Sequence, residues 1–111
     1  MAAIEVAQEK VDRVLEAIEV AKTTGKIAKG TNETTKAIEK GKAKMVVVAK
    51  DVTPPEIIMH IPALCEEKGI ACFKVPSKED LGQAAGIQVG TGSVAITEEG
   101  DSKDIIKELT Q

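Results

Sequence analysis

The strongest constraint on the fold of this chain is an uninterrupted apolar run from Met45 to Ala49, whose centre is the β-branched segment Val46–Val48. The run has the length of a strand and is far shorter than the roughly 20 residues that cross a bilayer. A strand with apolar side chains on both faces must be covered on both, which is typical of a sheet between two layers of helices. The run therefore predicts a layered α/β fold with this strand near its centre.

The other elements alternate between helix and strand. Apolar residues at three- and four-residue intervals predict a first helix from Ala3 to Thr24, ended by Gly25. Another helix begins with Thr53 as N-cap and Pro54 at the first helical position, and it runs to Lys68. The remaining helices are predicted at Asn32–Lys42, Ser77–Ala85 and Asp101–Leu109, and the remaining strands at Lys26–Lys29, Ala71–Val75 and Ser93–Thr97.

These four strands and five helices predict a three-layer α/β/α sandwich with a four-stranded mixed sheet. The 111 residues have the size of one domain, so we expect a single domain over residues 1–111. The N-terminal residues carry no secretory signal, so we expect a cytoplasmic protein with no membrane partner. Cys65 and Cys72 lack zinc spacing and are expected to be reduced core residues.

Charge is unevenly distributed along the chain. The net charge is −3, yet residues 22–50 hold eight lysines against Glu33 and Glu39, a local net charge of +6 that leaves −9 for the rest. An acidic body with one basic segment suits a protein that binds nucleic acid through one face. Lysine runs can also be solvated surface without a ligand, and this alternative stays open on charge alone.

The most informative part of the basic segment is Gly30 to Lys36, where a predicted strand leads into a helix. Free N–H groups at a helix N-terminus attract anions, and glycine allows close approach of the backbone. Lys36 comes four residues after Asn32 and three after Glu33, so all three can share one exposed helix face. A carboxylate does not bind phosphate, but it pairs with the N–H donors of guanine, so Glu33 favours the reading of bases.

Nothing in the sequence predicts catalysis. The only histidine, His60, has no nucleophile placed beside it, and no Gly-Lys-Ser or Gly-Lys-Thr motif for nucleotide phosphates occurs. We therefore expect no enzyme activity, no cofactor and no metal.

The segment Gly30-Thr31-Asn32-Glu33-Thr34-Thr35-Lys36 closely resembles the signature of the archaeal large-subunit ribosomal protein family L-seven-Ae. The family folds as an α/β/α sandwich and binds the kink-turn, an RNA internal loop with tandem sheared G·A pairs and a sharp bend. The resemblance covers nearly the whole chain from Val14 onward. It continues through Ala49–Ile57, His60–Pro62, Leu64–Lys68, Ser77–Gly82 and Ala84–Gly86.

The resemblance implies that residues between Lys29 and Lys36, Thr31 among them, bind RNA. Asn32, Glu33 and Lys36 would read the guanines of the sheared pairs, while Lys29 and Gly30 would meet the RNA backbone. A second contact would come from the loop Ile87-Gln88-Val89, which would cover an extruded nucleotide at the bend.

The resemblance also implies partners. They would be kink-turns in ribosomal RNA and in box C/D and H/ACA guide RNAs, together with the other core proteins of those ribonucleoproteins. We expect no DNA partner and a monomer when free. Two alternatives stay open: a module of the same fold that binds another RNA or a protein in translation, and a small metabolite-binding α/β domain.

Overall fold

A computed structural model describes residues 4–5, 8–51, 56–88 and 90–110 of the chain. The strands are β1 (Ile4–Glu5), β2 (Lys26–Lys29), β3 (Met45–Ala49), β4 (Ala71–Val75) and β5 (Ser93–Glu98). The helices are α1 (Gln8–Thr24), α2 (Thr31–Glu39), α3 (Glu56–Lys68), α4 (Lys78–Ala84) and α5 (Lys103–Thr110), with a 3-10 turn at Gly100–Ser102 before α5. No helix among the described residues is long and apolar enough to cross a membrane.

The strands form one mixed sheet in the order β1-β4-β3-β5-β2. β3 pairs in parallel with β4, and β5 runs antiparallel between β3 and β2. The carboxyl ends of β2, β3 and β4 therefore meet at one end of the sheet, beside the start of β5 at Ser93. We call this the Gly30 end, and we call the opposite end, where β2 and β3 begin, the Lys44 end.

Helices cover both faces of the sheet, as the apolar run predicts. Along β3 the side chains alternate, so that Met45, Val47 and Ala49 pack into one core while Val46 and Val48 pack into the other. The first core lies under α1, α4 and α5, and the second lies under α2 and α3. All five residues of β3 are fully buried, so the central position of this strand is confirmed.

The three-layer α/β/α sandwich and the four-stranded mixed sheet of β2 to β5 are confirmed, with one addition and one correction. The two-residue strand β1 adds a fifth, edge strand that pairs in parallel with Phe73 and Lys74. The predicted first helix, from Ala3, is therefore wrong at its start, because Ile4–Glu5 is strand and the helix begins at Gln8. A helical apolar spacing extends back through these residues, but pairing with a distant strand decides their conformation.

Helix boundaries also differ in α5, where the helix predicted at Asp101–Leu109 is Lys103–Thr110 after the 3-10 turn, and in α2. The helix predicted to reach Lys42 ends at Glu39, with Lys40 as C-cap and Gly41 in the left-handed region at φ 72°. Ser77 caps α4 as predicted, because its Oγ accepts a hydrogen bond from the N–H of Asp80 at 3.2 Å. The predicted cap at Thr53 and Pro54 lies outside the described residues.

Candidate nucleic-acid interface

The segment from Lys29 to Thr34 joins the end of an edge strand to the start of α2. The N–H of Gly30 donates to the carbonyl of Ser93 at 3.0 Å and thereby extends the pairing of β2 with β5 by one residue. Gly30 then turns the chain with φ 91° and ψ 161°, a backbone conformation that side chains with a Cβ rarely adopt. The turn places the first residue of α2 at the Gly30 end of the sheet.

The N-terminus of α2 is open to an anion. The first helical hydrogen bond runs from the N–H of Thr34 to the carbonyl of Gly30 at 2.9 Å, and α2 has no side-chain cap. Within the described part of the chain, the N–H groups of Thr31, Asn32 and Glu33 therefore have no acceptor. Three N–H donors and the positive end of the helix dipole are available here for a phosphate or a base.

The side chains that the sequence predicts as base readers are on the exposed face of α2. Asn32, Glu33 and Lys36 are all exposed, whereas Thr34 is buried on the opposite side of the same helix. Lys36 Nζ lies 3.7 Å from Glu33 Oε1, and both side chains are 62% exposed. Such an exposed pair contributes about 1 kcal/mol or less, so it orients the two groups without withholding them from a ligand.

The predicted second contact, the loop after α4, is tied to the same end of the sheet. Ser93, which accepts the N–H of Gly30, also accepts a hydrogen bond from the hydroxyl of Thr91 at 3.2 Å. The N–H of Thr91 in turn donates to the carbonyl of Lys78 at 3.1 Å. One buried carbonyl thus links the start of α2 to Thr91, which follows the loop.

Within that loop the described residues are Ile87 and Gln88, and Val89 lies outside them. Ile87 is half-buried against the first core, while Gln88 is exposed. Both line a cavity of about 450 Å³ together with Glu79 and Asp80 of α4. The carboxylates of Glu79 and Asp80 repel phosphate, so this cavity is unfavourable for a nucleic-acid backbone.

The structure divides the lysines of the basic segment between both ends of the sheet. Lys29 is exposed at the Gly30 end, and Lys36 lies one turn further along α2. Lys26, Lys42 and Lys44 line a cleft at the Lys44 end instead. The single basic segment of the sequence is therefore two basic surfaces, of which one coincides with the predicted base-reading residues.

The histidine and the two cysteines are not among the residues of this surface. His60 is exposed on α3, and no group of three or more metal-binding side chains occurs in the part of the chain that the structure describes. Cys65 and Cys72 are buried free thiols of the second core, which confirms them as core residues. Their mutual hydrogen bond and burial raise the pKa of the Cys72 thiol, so it stays protonated at neutral pH.

The family described as "Ribosomal protein L7Ae/L30e/S12e/Gadd45 family" matches residues 12–106. The chain belongs to this family. Among solved structures, the chain is similar to the "Giardia lamblia 15.5kD RNA binding protein", with 30% sequence identity and a TM-score of 0.88 over 94% of this chain and 87% of that one. The family resemblance carried by Gly30 to Lys36 is thereby confirmed for the L7Ae/L30e/S12e/Gadd45 family as a whole.

Sequence reasoning missed the two residues that connect the predicted contacts, Thr91 and Ser93. The sequence Gly90-Thr91-Gly92 is typical of a turn and gives no sign of a role, and Ser93 is the first residue of a predicted strand. Their importance comes from the strand order, because β5 lies between β3 and β2 and so brings Ser93 beside Gly30. The one signal in the sequence is the threonine between two glycines, and the structure shows that Thr91 is buried.

Proposed function

We propose that this protein binds RNA and recognises kink-turns through the Gly30 end of its sheet. Membership of the L7Ae/L30e/S12e/Gadd45 family and similarity to a Giardia lamblia protein described as RNA binding support the general class. The observation that carries the proposal is an uncapped helix start bearing an exposed acceptor, Glu33, between the donors of Asn32 and Lys36. That combination matches base edges better than it matches phosphate.

Each group has a separate task in the proposed complex. Lys29 and the N–H groups at the start of α2 bind the RNA backbone, and Gly30 with Thr31 lets that backbone come close. Glu33 accepts hydrogen bonds from the N1–H and N2–H groups of a guanine in a sheared pair. Asn32 can donate and accept, whereas Lys36 only donates, to the acceptor atoms of the neighbouring bases.

The loop Ile87-Gln88-Val89 supplies the second contact in this proposal. An extruded base leaves its stack, and aliphatic side chains can cover one of its faces. The single aromatic residue, Phe73, is buried on β4 and cannot stack on a base. Shape and hydrogen bonding therefore carry recognition, and the shared carbonyl of Ser93 links Gly30 to Thr91, the residue that follows the loop.

In the cell, the proposed targets are kink-turns of ribosomal RNA and of box C/D and H/ACA guide RNAs. One reading surface serves all of them, because each RNA presents the same motif. The protein would act in the cytoplasm by binding and bending RNA before other ribonucleoprotein core proteins join, and any modification chemistry would belong to those partners. No reaction is assigned to the chain itself.

The test is a titration of the purified protein with two RNAs of equal length. One RNA contains a kink-turn with tandem sheared G·A pairs, and the other has Watson–Crick pairs at those two positions. Loss of the contacts at two pairs, at about 1 to 3 kcal/mol each, predicts weaker binding by roughly 30-fold or more. Equal affinity for the two RNAs would contradict the proposal.

A further inference from the structure

A second basic surface lies at the Lys44 end of the sheet, away from the residues of the proposed function. Lys26, Lys42 and Lys44 line a cleft of about 480 Å³, together with Gly41, Thr97 and Glu98. Lys26 comes from the start of β2 and the other two lysines from the turn between α2 and β3. Three lysines and one glutamate leave this cleft, which we call the distal cleft, with a net charge of +2.

The backbone that carries Lys42 and Lys44 is held in place. At the end of α2 the N–H of Lys42 donates to the carbonyl of Ala37 at 2.9 Å and that of Gly41 to Ile38 at 3.0 Å, the paired bonds of a Schellman motif. The N–H of Lys44 bonds to the carbonyl of Ile96 in β5. Ala43, between the two lysines, is buried, so both ammonium groups project from an anchored segment.

The charges of the distal cleft are largely available to a ligand. Glu98 lies 3.5 Å from Lys26, and both side chains are well exposed. Lys42 and Lys44 form no ion pair with any residue that the structure describes. A lysine near the C-terminus of a helix interacts favourably with the helix dipole, which explains a lysine at position 42. Lys44 and Lys26 flank strands, so this explanation does not apply to them.

Helix α2 connects the proposed RNA-binding residues at its start to the distal cleft at its end. α2 has nine residues from Thr31 to Glu39, which gives a length of about 13 Å at 1.5 Å per residue. The roughly 3.4 Å rise of B-form DNA gives about four base pairs over the same distance, and an A-form RNA stem, which rises less per base pair, needs slightly more. A stem that leaves the Gly30 end along α2 would therefore reach the distal cleft within one half-turn.

We infer that the distal cleft is a second RNA contact, at which Lys42 and Lys44, assisted by Lys26, bind backbone phosphates of a stem that flanks the bend. This inference rests on the proposed function. It extends the footprint of the protein beyond the kink by about four base pairs and adds affinity without adding sequence specificity. An RNA trimmed to the kink alone would not engage these lysines.

The test uses the full chain and a series of kink-turn RNAs in which each flanking stem is lengthened separately, from two to ten base pairs. We expect the wild-type affinity to rise once one of the two stems exceeds about four base pairs. For that longer RNA, the double substitution Lys42→Gln and Lys44→Gln should reduce the slope of log affinity against log salt by about 1.8, or 0.9 for each lost phosphate contact. Between about 50 and 200 mM salt, this is a roughly 12-fold smaller loss of affinity than in the wild type.

The matched control is the double substitution Lys10→Gln and Lys103→Gln. It removes the same charge from exposed positions on the α1 and α5 side of the sheet. We expect it to leave the salt slope of the long RNA unchanged, and we expect neither double variant to alter binding of the shortest RNA.

The other outcomes overturn the inference in distinguishable ways. An unchanged slope in the Lys42 and Lys44 variant would show that these lysines are only solvated. An equal reduction with the shortest RNA would place the contact inside the kink, and an equal reduction in the control would make it a net-charge effect. If the wild type does not prefer the kink-turn at all, the proposed function fails first and the inference falls with it.

Discussion

Replacement of Glu33 by alanine distinguishes base recognition from attraction to phosphate, because the two modes of binding predict opposite changes in RNA affinity. If α2 bound only the RNA backbone, the carboxylate would repel a phosphate about 7 Å away by about 0.6 kcal/mol in water. Glu33→Ala would then strengthen binding about threefold. If Glu33 accepts hydrogen bonds from a guanine, its loss costs about 1 to 3 kcal/mol instead.

Two features of the structure affect the expected loss of about 1 to 3 kcal/mol in binding free energy. The pair with Lys36 at 3.7 Å is exposed and contributes about 1 kcal/mol or less, so little is lost when Glu33 leaves it for a base. Glu33 stands in the first turn of α2, where a negative charge stabilises the helix by about 0.3 to 1 kcal/mol. We therefore expect binding of the kink-turn to weaken about 5- to 100-fold with a slightly lowered free energy of unfolding.

The assay is a gel-shift or fluorescence titration with the kink-turn RNA and its Watson–Crick counterpart. The control is Glu39→Ala, which removes the same charge from an exposed position in the last turn of α2. Urea unfolding of both variants checks that the fold is retained. Unchanged or tighter binding by a folded Glu33→Ala protein would refute base reading by this residue.

Three further changes test other parts of the site. Lys29→Ala should weaken binding of all RNAs alike and reduce the salt slope by about one, and a change confined to sequence preference would contradict its assignment to the backbone. Gly30→Ala meets no atom within 4 Å of the new Cβ, but the φ of +91° should lower the free energy of unfolding by about 1 to 3 kcal/mol in urea titrations, and an unaffected stability would argue against that turn. Val89→Asp should weaken kink-turn binding by about 1 to 3 kcal/mol, because an apolar contact with the extruded base is lost. Unaltered binding would mean that other residues contact this base.

Much of the fold could be predicted because its signals are local. The run Met45–Ala49 is buried on both faces, and the strands Lys26–Lys29 and Ala71–Val75 have the predicted bounds. The strand Ile4–Glu5 could not be predicted, since only two residues pair and their partner lies almost 70 residues away. Local spacing favoured helix there, and tertiary pairing overrode it.

One part of the candidate site could likewise be predicted from local sequence, and another part could not. Exposure of Asn32, Glu33 and Lys36 on one helix face follows from their spacing alone. The connection between Gly30 and the loop at Thr91 does not, because it depends on an antiparallel β5 inserted between two strands that run parallel to each other. The distal cleft was hidden for a related reason: eight lysines in one stretch predicted one surface, whereas β2 and α2 place Lys26, Lys42 and Lys44 at the opposite end from Lys29.

The carbonyl of Ser93, which holds both Gly30 and Thr91, has a consequence for the energetics of assembly. If kink-turn binding follows the proposed scheme and the start of α2 keeps its position relative to the loop, the protein selects RNA molecules that are already bent. Its apparent Kd is then the intrinsic value divided by the bent fraction, so an RNA that is bent 1% of the time binds about 100-fold less tightly than one already bent. Differences among target RNAs in this pre-existing fraction would rank their occupancy by the protein, even where every contacted base is the same.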